Sequence, residues 1–106
     1  MIHLAVRNVN SEHLDLFRDW MAQLNGPRRA EALATLEDEG CSHEIAVLLE
    51  GPEGPIVIYA MEVESIEQSR DAADHSSHPI DAEHRAILDL AIGDRPSLQR
   101  ILDLHR

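Results

Sequence analysis

The segment DHSSHPIDAEH, residues 74–84, holds the densest group of side chains that can do chemistry. It contains imidazoles and carboxylates, the groups that proteins use both for proton transfer and for binding metals. If Asp81 caps a helix over residues 82–91, His84 lies within the first turn, close enough to contact it. We interpret His78, Asp81 and His84 as a candidate catalytic group, in which one histidine is the acid or base and Asp81 orients it.

The same three side chains allow two other interpretations. They could bind a metal, as two-histidine, one-carboxylate sites do. The spacing lacks the pattern of a closed structural site, so we expect no bound metal. They could also be structural only, with Asp81 capping the helix, Pro79 shaping the turn and the histidines at the surface. The residues alone leave these interpretations open.

A second polar group lies on two strand-like segments and on the first strand. Its members flank apolar residues, which matters because burial raises the pKa of a carboxyl group and makes it a useful proton carrier. At exposed strand ends, the same residues would form ordinary salt bridges. The candidate substrate-binding residues in this group are Arg7, Glu44, Tyr59 and Glu62.

The hydrophobic pattern predicts the elements that position these side chains. Alternation over residues 2–9 predicts a strand, and helical spacing from Leu14 to Glu39 predicts one long helix, kinked near Pro27. The apolar runs at residues 43–50 and 56–63 flank a turn rich in glycine and proline, which predicts an antiparallel hairpin.

The second half of the chain continues with shorter elements. Ser65 and Gln68 form a capping-box pattern that predicts a helix to about Asp74. The last segment, residues 97–105, fits a helix or a strand, and we predict a strand. The order predicts one α+β domain over residues 1–106, a ferredoxin-like plait (βαββαβ with an extra short helix before the last strand).

Composition limits the partners. Acidic residues outnumber basic ones 20 to 9, for a formal net charge of −11, which would repel nucleic acid and anionic lipid. Cys41 is the only cysteine, and the chain shows neither a secretion-signal pattern nor a long apolar segment. We expect a cytoplasmic protein without a nucleic-acid or membrane partner, and the lack of nucleotide-binding motifs predicts no cofactor.

The hairpin strands also predict an oligomer. Residues 45–49 and 56–61 are apolar at nearly every position, so both faces of the sheet require burial. Two principal helices cover only one face. A second copy of the chain is the simplest cover for the other, since twofold dimers are the commonest homo-oligomers. The alternative is that the third helix covers it.

The hairpin that ends in YAMEVES, the polar helix after it and the HPIDAEH segment together resemble the bacterial and archaeal family called domain of unknown function 6176, over nearly the whole chain. The resemblance implies the dimeric α/β-barrel superfamily, in which two plaits pack sheet to sheet and ligands bind between each sheet and its helices. The resemblance implies that the family's polar signature corresponds here to Glu44, Glu62, His78, Asp81 and His84, with Tyr59 as a weaker addition. The superfamily includes several enzyme types and sensing domains, so this fold does not fix the function.

Our leading hypothesis is a cofactor-independent acid/base enzyme, of isomerase, mutarotase or monooxygenase type, acting on a small polar metabolite in the cavity of the dimer. The alternative is a non-catalytic ligand-binding or regulatory dimer. A third hypothesis is a metal-dependent enzyme that uses His78, Asp81 and His84.

Overall fold

The computed structural model describes residues 1–106 and shows an α+β architecture, as predicted. A three-stranded antiparallel sheet packs against four helices, and a short 3-10 turn at Ser11–His13 precedes the first helix. In chain order the elements are β1 (Ile2–Asn8), α1 (Leu14–Asn25), α2 (Arg29–Asp38), β2 (Cys41–Gly51), β3 (Gly54–Val63), α3 (Ile66–Asp74) and α4 (Pro79–Ala91).

The sheet has the strand order β1-β3-β2, with β3 in the centre. The predicted hairpin of β2 and β3 is confirmed, and it turns tightly at Gly54, whose φ of +123° is a conformation that glycine adopts without strain. Tyr59 lies opposite Ala5 of β1 and Ala46 of β2. Because directly opposed residues point to the same side of a sheet, this register decides which side chains share a face.

The inner face of the sheet packs on the helices. Val57, at the middle of β3, is 1% exposed and contacts Phe17 of α1, Val9 after β1 and Ala91 at the end of α4. Burial of these apolar side chains away from water is the main force that holds the helices on this face. The same face carries Arg7, which is opposite Val57, and Glu44, which is opposite Met61. Tyr59 lies between Val57 and Met61 on this face of β3.

The other side of the sheet, which we call the open face, is apolar and uncovered. Val47, in the middle of the edge strand β2, is 50% exposed, and Ile45 and Leu49 on the same strand are 47% and 53% exposed. Helix α4 packs against α1 and α2, so it does not cover this side. By register the apolar residues of the open face are Ile2, Leu4 and Val6 of β1, Ile56, Ile58 and Ala60 of β3, and Ile45, Val47 and Leu49 of β2. The same side also carries Asn8 and Glu62 towards the ends of their strands.

The predicted long helix is wrong, because the chain forms two helices here. Helix α1 ends at Asn25 and α2 begins at Arg29, with Gly26 and Pro27 between them. Proline has no N–H to donate and its ring clashes with the preceding turn, which breaks the helix instead of bending it.

The starts of α3 and α4 had been predicted from capping residues. The Ser65 cap of α3 is confirmed, since the hydroxyl accepts a hydrogen bond from the Gln68 N–H at 3.3 Å, and α3 ends at Asp74 as predicted. Helix α4 begins earlier than predicted. It starts at Pro79, a residue favoured at the first helical position, and His78 is its N-cap. Asp81 therefore lies within the first turn and is not the capping residue.

The predicted final strand is wrong as well, because residues 93–106 form neither helix nor strand. This C-terminal segment starts beside β1, where the Asn8 N–H donates to the Asp94 carbonyl at 2.8 Å and the Gly93 N–H donates to the Asn8 carbonyl at 2.8 Å. Pro96 then has no N–H for a ladder. Further on, the Arg100 side chain donates a hydrogen bond to the Ile2 carbonyl of β1 at 2.8 Å. No helix has the length and hydropathy of a membrane span.

Candidate functional site

A cleft of about 1180 Å³ opens between the inner face of the sheet and the helices. The three strands form its floor, all four helices contribute to its walls, and Arg95 of the C-terminal segment lies at one end. It brings together five of the seven predicted site residues, which are Arg7, Glu44, Tyr59, Asp81 and His84.

The other two predicted residues lie outside the cleft. Glu62 belongs to the opposite side of the sheet, where its Oε1 is 3.0 Å from the Met1 amine. His78 Nε2 is 2.7 Å from Asp38 Oδ2. No group of three or more histidine, cysteine or acidic side chains is placed to hold a metal ion. His78, Asp81 and His84 therefore do not converge as a ligand set.

His84 is held in one tautomer by Trp20. The indole Nε1–H donates a hydrogen bond to His84 Nδ1 at 2.7 Å. Because an indole nitrogen can only donate, Nδ1 must be the unprotonated nitrogen and the ring must be neutral, with its proton on Nε2. Burial lowers the pKa of His84, which also favours the neutral ring. His84 is thus built to donate a hydrogen bond from Nε2.

Trp20 is itself fixed by a cation on α2's N-terminal side. The guanidinium carbon of Arg28 lies 5.4 Å from the centroid of the indole ring, in cation–π geometry. Arg28 is anchored by Glu31 at 2.9 Å and by Glu83 of α4. The Trp20 indole therefore has Arg28 over its ring and His84 at its Nε1–H, and these two contacts fix its position.

Asp81 has a different job from the predicted one. Its carboxylate accepts a hydrogen bond from the Ser76 hydroxyl, and the same hydroxyl accepts one from the His78 N–H at 3.1 Å. These contacts order the turn before α4. The negative charge of Asp81 nevertheless acts on His84, since it raises the pKa of the ring against the stronger effect of burial.

Glu39, just after α2, is a site residue that the sequence did not reveal. Burial, followed by repulsion from Glu44, Asp81 and Asp38, raises the pKa of Glu39 to about 7. Burial also raises the pKa of Glu44 on the neighbouring strand, although this carboxyl keeps access to solvent in the cleft. We call Glu39, Glu44 and Asp81 the acidic end of the cleft.

Tyr59 lies on the cleft floor with an unsatisfied hydroxyl. Its oxygen is buried and has no hydrogen-bond partner in the protein. Burial first, and then the charge of Glu44, raises the pKa of Tyr59 to about 12, so the phenol keeps its proton at neutral pH. Buried polar groups without partners are rare, because each costs free energy. This hydroxyl is a group that a molecule in the cleft could satisfy.

The part of the cleft next to β1, across the central strand from Glu44 on β2, collects basic side chains. His3 and Arg7 come from β1, Arg70 from α3 and Arg95 from the C-terminal segment. None of them forms a salt bridge with a carboxylate. Burial lowers the pKa of His3, and repulsion from the arginines nearby lowers it further. We call these four residues the basic end of the cleft.

The two roles of Asp81 can be separated by Asp81→Asn. Asparagine keeps an oxygen for the Ser76 hydroxyl, so we expect the free energy of unfolding to change by less than about 1 kcal/mol. Loss of the charge removes the effect that raises the His84 pKa, so the ring should titrate at still lower pH, as followed by NMR. Asp38→Asn is the control and should leave His84 unchanged. If Asp81→Asn left the pKa of His84 unchanged, Asp81 would act on the turn only.

The comparisons with known proteins agree with the resemblance noted from the sequence. No curated protein matches the chain. A protein-family model described as a family of unknown function, DUF6176, matches residues 2–105. The match includes every residue of the cleft, and the chain therefore belongs to the DUF6176 family.

Proposed function

We propose that this chain is an acid/base enzyme that moves a proton on a small polar metabolite bound in the cleft. The observation that carries the proposal is Glu39, a carboxyl group with a pKa of about 7 that faces two further acidic side chains. A general acid or base is most effective when its pKa is near the working pH, because it can then both take up and release a proton. The single cysteine, which rules out a disulfide within the chain, favours a cytoplasmic setting.

The proposed chemistry needs only groups that are present in the cleft. The Glu39 carboxylate takes a proton from a C–H or O–H bond of the metabolite, and the electron pair of that bond moves onto a substrate oxygen. His84 Nε2–H and the Tyr59 hydroxyl are neutral donors that can stabilise the negative charge on this oxygen. Glu39 then returns the proton at a different atom. Isomerisation and mutarotation both fit this sequence of steps.

Glu44 assists by keeping a proton at the acidic end. Two carboxyl groups that repel each other do not both ionise easily, so the pair holds a proton at a pH where free carboxyls have lost it. Glu39 and Glu44 would therefore titrate as a coupled pair, with one member acting as acid while the other acts as base.

The proposed enzyme is a homodimer joined through the open face, as in the dimeric α/β-barrel superfamily. An uncovered apolar patch in the middle of a sheet commonly marks an interface. Each copy carries a net charge of −11, so two copies repel each other unless they meet on a surface without charges. The nine apolar residues of the open face supply such a surface, and Glu62, on the same side of the sheet, lies towards its edge beside the Met1 amine.

Solvent hydrogen exchange tests the proposal without knowledge of the substrate. The protein would be incubated in D2O with a set of small hydroxy acids, keto acids and sugars, and each compound would be analysed by mass spectrometry. We expect deuterium to enter at least one compound faster than in a control with heat-denatured protein. Compounds that raise the thermal midpoint without exchanging would contradict the enzyme and favour a ligand-binding dimer. If no compound binds and none exchanges, that result would contradict the assignment of the cleft as a site.

A further inference from the structure

The basic end of the cleft holds three arginines without carboxylate partners, which is unusual in so acidic a chain. There are 20 acidic residues and only nine arginines, so a structural arginine has many carboxylates available as partners. Three of the nine, Arg7, Arg70 and Arg95, nevertheless gather at one end of the cleft without one. The only hydrogen bond that the Arg7 side chain donates goes to the carbonyl of its own neighbour Val6, at 2.9 Å.

Three arginines close together repel one another, and this repulsion lowers the stability of the folded protein. The positive charges of Arg95 and Arg70 act on Arg7, where burial and this repulsion both lower the pKa. The three side chains come from β1, α3 and the C-terminal segment, elements far apart in sequence. A purely structural role would place carboxylates among them, and the carboxylates of the cleft lie at the opposite end.

We infer that Arg7, Arg70 and Arg95, with His3, form a subsite for an oxyanion, the carboxylate or phosphate group of the metabolite bound in the cleft. The planar fork of a guanidinium matches such groups with two parallel hydrogen bonds. An anion placed between the three arginines would replace their mutual repulsion with attraction. That it belongs to the substrate of an acid/base enzyme rests on the proposed function.

The subsite also gives the substrate a direction in the cleft. The anionic group lies at the basic end, and the part that loses and regains a proton reaches towards Glu39 and Glu44. The substrate class is therefore a small organic acid or phosphate ester that carries an exchangeable proton away from its anionic group. A molecule with a second anionic group would be repelled by the acidic end.

The subsite further explains what the C-terminal segment does. Arg95 follows the point where backbone pairing with β1 stops, so little else fixes its position. An anion shared between Arg95 and Arg7 would tie the segment to β1. We therefore expect hydrogen exchange of residues 95–100 to slow when the subsite is filled.

The experiment titrates inorganic phosphate and, separately, acetate into the protein, with sodium chloride at the same ionic strength as the reference. We expect at least one of them to raise the thermal midpoint by several degrees and to shift the His3 ring resonances in NMR. Arg70→Gln changes an exposed side chain, so we expect the fold to be kept, and it should weaken binding of that anion at least tenfold. Arg7→Gln should do the same. Arg18→Gln, a surface residue 3.6 Å from Glu50, is the matched control and should bind normally.

The outcomes separate this subsite from the proposed function. A response to phosphate alone identifies a phosphate group, and a response to acetate identifies a carboxylate. Equal responses to both anions and chloride, or an undiminished response in Arg7→Gln and Arg70→Gln, would overturn the subsite. Glu39→Gln should still bind the anion, because Glu39 lies at the acidic end. Anion binding without any hydrogen exchange would therefore support the subsite while contradicting the enzyme.

Discussion

Val47→Glu is expected to convert the protein from a dimer to a monomer. Val47 lies in the middle of β2 on the open face, opposite Ile58 of the central strand, so a dimer formed through this face would bury the new carboxylate without a partner. Twofold symmetry places two such charges in one interface. Burial of an unpaired charge costs several kcal/mol, which corresponds to a rise of at least about 100-fold in the dissociation constant.

Light scattering coupled to size exclusion measures this directly. The native chain should give about twice its mass of 11.9 kDa, and Val47→Glu should give the mass of one chain. Leu90→Glu is the matched control, since Leu90 is 52% exposed on α4 and Val47 is 50% exposed. It should remain dimeric. A native chain that is monomeric at micromolar concentration, or a Val47→Glu dimer, would contradict an interface on the open face.

Glu39→Gln should lower the rate of solvent hydrogen exchange into the substrate at least about 100-fold, the usual contribution of a general acid or base. Glutamine has nearly the same shape but cannot take up a proton. Glu37→Gln makes the same change on the exposed side of α2, two residues away, and should exchange at the native rate. An unchanged rate in Glu39→Gln would assign proton transfer to another group.

Loss of folding would not explain that result, because Glu39→Gln should stabilise the protein above pH 7. The pKa of Glu39 is raised in the folded state, so the stability that its protonated form contributes is present below about pH 4.5 and is lost as the pH rises through about 7. Glutamine avoids the cost of ionising there. With a discount for solvent in the cleft, we expect roughly 1 kcal/mol, measured by denaturant unfolding at pH 8 and absent at pH 4.

Local signals in the sequence were enough to predict the hairpin and α3. The alternation of β1, the apolar runs of β2 and β3 and the Ser65 cap depend on residues close in the chain, and the structure confirms these elements. Pro27 and Pro96 had effects that hydrophobic spacing does not record, because each removes a backbone donor. The first divides a helix, and the second ends the pairing of the C-terminal segment with β1.

The site was harder to predict because its contacts join distant residues. Trp20 and His84 are 64 positions apart, so no local pattern indicates that the indole fixes the ring. Glu39 resembled one more charge at the acidic end of a helix, and its environment comes from β2 and α4. Glu62 could have been set apart from the sequence alone. It is an odd number of positions from Tyr59, so the two side chains lie on opposite faces of β3.

The central claim is that the acidic end of the cleft holds a carboxyl group that can exchange a proton at neutral pH. A 13C NMR titration of the glutamate side-chain carboxyls tests this most directly. The Glu39 resonance is assigned by its absence from the spectrum of Glu39→Gln. The account predicts a Glu39 midpoint near 7 in the native protein. It also predicts a lower midpoint in Glu44→Gln, where the repulsion from Glu44 is gone. A Glu39 midpoint near 4.5, unchanged by Glu44→Gln, would contradict the account.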